Sequence, residues 1–289
     1  MKFWQAITWA ETDQLIEIAR FAEEVGFHGL MSGDHAVYPE SIRPDYPYSD
    51  TGMPPMQPSD EYPDQTAIFA AAAAVTQKLV FTCGVYVLPL RNVHEVARAA
   101  ATLSVLSDDR FILGIGVGWM KEEFEIYGVD FHKRGKITDE MVDVLHKLWA
   151  GGMVEHHGDH FDFPRVQLSP APKKSPRIYV GGSSEIALRR TARIGDGYVG
   201  AGTAPKEVKG LLQRLDELRK KYGRDHLPFE AMLGISALPD LDLFKSLQDD
   251  GLESTVAPPF FYALGKKTSS IDEKKAFMEN YAETVIRHF

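Results

Sequence analysis

Apolar residues recur along this chain in two alternating rhythms. Short unbroken runs, such as Leu79 to Leu88 and Phe111-Ile112-Leu113-Gly114-Ile115-Gly116, have the length and β-branched content of buried strands. Between them apolar positions return at helical spacing, as in Leu15, Ile18, Ala19 and Ala22, or Val208, Leu211, Leu212, Leu215 and Leu218. The pattern predicts strands over 3–8, 29–33, 79–88, 111–118, 177–181, 196–200, 231–237 and 253–260. It predicts helices up to Gly26, over 64–76, from Asn92, over 139–149, up to Ile194, and over 205–222, 241–247 and 272–288. Strands alternating with helices in this way form an α/β chain of the (β/α)8 TIM-barrel class, a single domain spanning 1–289. A doubly wound sheet is the structural alternative. It requires a glycine-rich turn after the first strand, where this chain has Thr8-Trp9-Ala10-Glu11.

One stretch breaks the rhythm. Residues 38–63 crowd Pro39, Pro44, Pro47, Pro54, Pro55, Pro58 and Pro63 among Tyr38, Tyr46, Tyr48 and Tyr62. A connection this long without periodicity is functional or disordered in most compact domains, and its aromatic content points to a long proline-rich lid after strand 2.

Composition narrows the class. A hydrophobic content of 44% and a charged content of 25% are those of an ordinary globular protein with a large core. Cys83 is the single cysteine, so no intramolecular disulfide forms, and its place in an apolar strand marks a buried thiol. With no signal-peptide pattern and no membrane-length apolar run, a cytoplasmic location is expected, with no membrane partner. A net charge of -9 argues against a nucleic-acid surface. The alanine-rich helices at 67–75 and 97–101 allow close packing on the barrel or a homodimer contact.

In barrels of this class the reacting groups lie at the carboxyl ends of the strands. Here those ends read Asp34-His35, Tyr86-Val87, Gly116-Val117-Gly118-Trp119, Gly181-Gly182-Ser183-Ser184 and Gly200-Ala201-Gly202. Repeated glycine suggests backbone approaching a large flat ligand. In Val180-Gly181-Gly182-Ser183-Ser184-Glu185 a strand runs through a glycine turn into a helix with a serine cap. Taken alone this is either an ordinary strand-to-helix turn or a phosphate cradle built from free amides and the helix dipole. No metal is expected. His156-His157-Gly158-Asp159-His160 reads as a polar hairpin, and Asp34-His35 lacks partner histidines at other strand ends.

Taken together, the motifs resemble the luciferase-like family of flavin- and deazaflavin-dependent oxidoreductases. The resemblance rests on Gly33-Asp34-His35, Arg110 to Trp119, Phe131-His132-Lys133-Arg134-Gly135, His157 to Phe161, Val180 to Ser184, and Ala192 to Gly197, in family order. It implies a ring cofactor at the strand ends: the deazaflavin F420, in the branch most similar to this chain, or FMN. Gly181, Gly182, Ser183 and Ser184 would hold its phosphate. Tyr86, Val87, Gly118 and Trp119 would line the ring, with a non-proline cis peptide at about Tyr86-Val87. Asp34 and His35 match the family pair at the polar edge and reactive face of the ring, which makes them the candidate catalytic residues. Sugar-phosphate dehydrogenases of the family carry a glutamate where this chain has Trp119, which puts a sugar phosphate in doubt. The implied activity is hydride transfer from reduced F420 to a small organic substrate. FMN-dependent monooxygenation is the alternative, and other readings are a non-catalytic flavin-binding barrel or a cofactor-free barrel acting on a sugar phosphate.

Overall fold

Alternation along the first strand, β1 (Lys2–Ala6), sorts its side chains between two cores. Phe3 points outward and packs edge to face on Phe244 and Tyr281 of the surrounding helices. Trp4 and Ala6 point inward and join Ile112, Tyr179, Val199, Met232 and Val256 in the centre of a closed ring of strands. The computed structural model describes residues 1–289.

The remaining barrel strands are β2 (Gly29–Ser32), β3 (Val80–Cys83, continued by Tyr86–Val87), β4 (Phe111–Gly116), β5 (Arg177–Gly181), β6 (Gly197–Thr203), β7 (Glu230–Ile235) and β8 (Ser254–Ala257). Every neighbouring pair is parallel, and β1 closes the ring against β8 with Trp4 opposite Val256. The TIM-barrel expectation therefore holds. Close packing inside the ring needs glycine at defined points. A Cβ on Gly29 would lie 2.4 Å from both the Trp4 ring and the Val80 carbonyl oxygen, so the large indole at the amino-terminal end requires a bare neighbour.

Helices cover the outside. Leu15–Val25 ends on Gly26 in the left-handed conformation, as its position predicts. Gln65–Ala73 and Val93–Ser107 turn Ala72, Ala73, Ala97, Ala100 and Ala101 inward, so the small residues bring these helices close to the strands. The next helix runs over Arg134–Trp149, five residues longer at its start than the apolar spacing shows, and it follows a short helix, Lys121–Tyr127, that the periodicity does not reveal. Both lie where charged residues dilute the pattern. Further helices cover Glu185–Ile194, Pro205–Lys221, Leu241–Asp249 and Ile271–Thr284. None of the helices is long and apolar enough to cross a membrane.

The histidine-rich stretch forms an antiparallel hairpin, Val154–His157 with Asp162–Val166. Glu140 staples it to the helix beneath by accepting the His160 and Phe161 N–H groups and meeting His156 Nε2 at 3.2 Å. Those histidines are thus tied to a structural contact, and the buried Cys83 thiol has its pKa pushed well up by burial. Residues 33–64 contain neither helix nor strand.

Candidate active site

The carboxyl ends of the strands carry a floor, a turn and an ion-paired rim. Glycines at inward positions of the floor make room for the Val85 and Met31 side chains. A Cβ on Gly116 or Gly181 would sit 2.4 Å or 2.5 Å from the Val85 methyl groups, and one on Gly84 would sit 2.3 Å from Met31 Sδ. The cis peptide lies at Gly84-Val85, two residues before the expected Tyr86-Val87, between the two pieces of β3. Tyr86 and Val87 are themselves buried, and Tyr86 lies beneath the Arg91 guanidinium at 4.9 Å.

At the end of β5, Gly182 has φ +118°, and a Cβ there would lie 2.9 Å from the Ala187 methyl. Ser184 caps the following helix, its Oγ accepting the Ala187 N–H at 3.2 Å. Ser183, Ser184, Glu185 and Ile186 are exposed, so the first turn of that helix is open to a ligand. Glu185, the one carboxylate in this turn, is occupied by Arg189 and Arg214. Free amides at an exposed helix start are groups that can receive an anion.

Asp34 and His35, adjacent in sequence, have different partners. Both Asp34 carboxylate oxygens lie 2.9 Å from Arg91 Nη2, and Oδ2 also accepts the Val87 N–H at 3.0 Å. Burial raises the Asp34 pKa, against the pull of Arg91 and that N–H group. His35 instead places Nδ1 3.0 Å from Oε2 of Glu123, whose other oxygen accepts the Ala36 N–H at 2.8 Å. Glu123 is 1% exposed and sits in the first turn of the short helix after β4, where the helix dipole favours a carboxylate. Sequence reasoning misses this residue. Glu122, Glu123 and Glu125 look alike until the phase of the helix shows that only Glu123 turns inward beside Phe124.

Gly118 and Trp119 are positioned by the motif around Arg134. Arg134 stacks on Phe131 at 3.7 Å, and its Nε donates to the Gly118 carbonyl at 3.1 Å. Gly118 has φ +79° and touches Val87 and Phe124 too closely for any side chain. Trp119 packs its edge against His35 at 5.9 Å and against Tyr46 of the long loop at 5.0 Å. The indole thus occupies the place where a glutamate was expected, while the carboxylate reaches the histidine from four residues further on.

A closed parallel barrel with a glycine turn and an exposed helix start after β5, and a Glu–His pair after β2 and β4, defines a (β/α)8 protein whose candidate site lies at the carboxyl ends of its strands. The sequence profile of the luciferase-like monooxygenase family matches residues 4–241, and the chain belongs to that family. An uncharacterized protein of Mycobacterium tuberculosis is 32% identical over 288 residues, which are 99% of each chain. Pyrimidine monooxygenase RutA of Acinetobacter baylyi is 30% identical over 215 residues, 70% of this chain and 58% of the relative. Among solved structures, an F420-dependent secondary alcohol dehydrogenase superposes with a TM-score of 0.76 at 16% identity, covering 99% of both chains. The FMN complex of the oxygenating constituent of 3,6-diketocamphane monooxygenase from Pseudomonas putida superposes at 0.64 and 21% identity, over 81% of this chain and 66% of that one. The family is thus one of monooxygenases, and solved proteins sharing its fold include F420-dependent and FMN-bound ones.

Proposed function

We propose that the chain is a two-electron oxidoreductase that uses reduced F420 to reduce a small organic substrate. The observation that carries this reading is the Glu123–His35 pair, standing at the same end of the barrel as the glycine floor and the open cradle. Gly182, Ser183 and Ser184 would hold the phosphate, and Gly116, Gly181 and Val85 would back the ring. When bound, the reduced cofactor supplies a hydride equivalent. His35 supplies the proton: Glu123 holds Nδ1, so Nε2 is the nitrogen left for the substrate heteroatom. Asp34 is spent on Arg91 and the Val87 N–H, and its role is to position the turn after β3. The loop over 38–63 acts as the lid that excludes water.

One observation favours FMN and oxygen instead. The loop carries Glu40, Asp45, Asp50, Asp60 and Glu61 against Arg43 alone, which opposes the acidic oligoglutamate tail of F420 but spares the single phosphate of FMN. Absorbance titration of the purified protein with F420 and with FMN decides the matter. Tight binding of F420 supports the first reading, binding of FMN alone supports the second, and binding of neither ends both.

A further inference from the structure

The rim of this site is aromatic on nearly every side, and its basic side chains are committed to partners. Trp9, after β1, meets Phe261 and Tyr262, after β8, at 5.9 and 6.0 Å, and its indole N–H donates to the Tyr62 hydroxyl. Tyr62 lies 5.2 Å from His35, His35 lies 5.9 Å from Trp119, and Trp119 lies 5.0 Å from Tyr46. The rings therefore form one unbroken run through the loops after β8, β1, β2 and β4. Tyr48, packed on Tyr46 at 5.5 Å, extends the run along the loop.

Inside this collar no cation is free. Arg91 is held by Asp34, Arg134 by the Gly118 and Phe131 carbonyls, Arg43 by Glu122, and Lys267 by Asp60. The carboxylates of Asp34 and Glu123, the two nearest His35, are equally committed, so neither is left to receive a substrate cation. We infer that the substrate is an uncharged planar aromatic compound bearing a carbonyl, stacked among Trp119, Tyr62 and Trp9 with its oxygen toward His35. This deepens the oxidoreductase reading by naming the class of its acceptor. A phosphorylated or carboxylated substrate would have to take a basic side chain away from the carboxylate or carbonyl that already holds it. An uncharged ring instead gains stacking and burial.

The test is calorimetric titration of the protein, with and without the cofactor that binds it, using 2-acetylnaphthalene, 2-naphthoate and 2-naphthylmethylammonium. The uncharged ketone should bind at least about tenfold more tightly than either ion. Trp119→Ala should weaken it by about tenfold, while Tyr62→Phe, which keeps the ring, should change it by less than about threefold. Tyr46→Ala, on the loop, gives a variant outside the barrel core should Trp119→Ala fail to fold, and it too should weaken binding. Equal or tighter binding of an ion, indifference to both alanine variants, or no binding of any probe overturns the inference. Collar-dependent ketone binding in a protein that binds neither F420 nor FMN would leave the ligand class standing and remove the redox reading.

Discussion

His35 has two ring nitrogens with different surroundings, and that difference sets what the residue can do. Nδ1 faces a carboxylate that is buried and also held by the Ala36 N–H, so the imidazole orientation is fixed from below. Glu123→Gln keeps the shape but can turn an amide N–H instead of an acceptor toward Nδ1, so the tautomer and orientation of the ring are no longer fixed. Turnover should fall by about 100-fold, and His35→Ala should cost as much or more. The double variant should lose little beyond His35→Ala alone, because the two act as a unit. Cofactor titration should be nearly unchanged in all three. Additive losses, or lost cofactor affinity, would mean that Glu123 merely supports the backbone at Ala36. The same scale shows why Asp34 is a poor proton donor: its two oxygens already take an arginine and an amide.

At the scale of elements, the glycine-rich strand ends divide into two kinds. Gly116 and Gly181 are bare because Val85 fills the space above them, whereas Gly182 is bare because the turn needs a positive φ beside Ala187. Gly182→Ala should therefore act on the cradle. We expect a loss of about 1–2 kcal/mol in stability from the strained backbone and a larger proportional loss of cofactor affinity, read by thermal melting and the absorbance titration. Unchanged affinity would place the phosphate elsewhere. These elements are also where the sequence is most and least informative. All eight strands are legible from apolar runs, because burial on both faces leaves little room for polar residues. The glycine turn and serine cap after β5 are legible because glycine, serine and a helix start must be consecutive. The helix over Lys121–Tyr127 is not, since seven residues with four charges show no clear face. Glu123 is hidden with it, and its pairing with His35 is a contact across 88 positions that no local pattern encodes.

The whole barrel has a second polar end, opposite the site, and it carries a pH dependence of its own. Beneath Trp4 lie His28, Lys2, Glu230 and Arg177; the His28 ring is 5.0 Å from the indole, and Lys2 pairs with Glu230. Burial, reinforced by the positive charge of Lys2 and opposed by Glu230, lowers the His28 pKa from 6.5 to about 4. The folded protein thus resists a proton that the unfolded chain accepts. Stability from this group is complete above about pH 6.5, falls as the pH drops toward about 4, and is level below that. Glu23, Glu140 and Glu230 have lowered pKa values, so their share is lost only below the ordinary carboxylate range. In the interval between about pH 7 and pH 5 His28 therefore leads, with a contribution of the same sign from His146, whose pKa is also lowered by burial, and one of opposite sign from Asp34, whose pKa is raised. Urea unfolding should show the native protein losing about 2 kcal/mol across that interval, and His28→Gln should lose distinctly less. An identical pH slope in the two proteins would show that His28 is solvated in the fold and that the amino-terminal end of the barrel is wetter than its packing around Trp4 indicates.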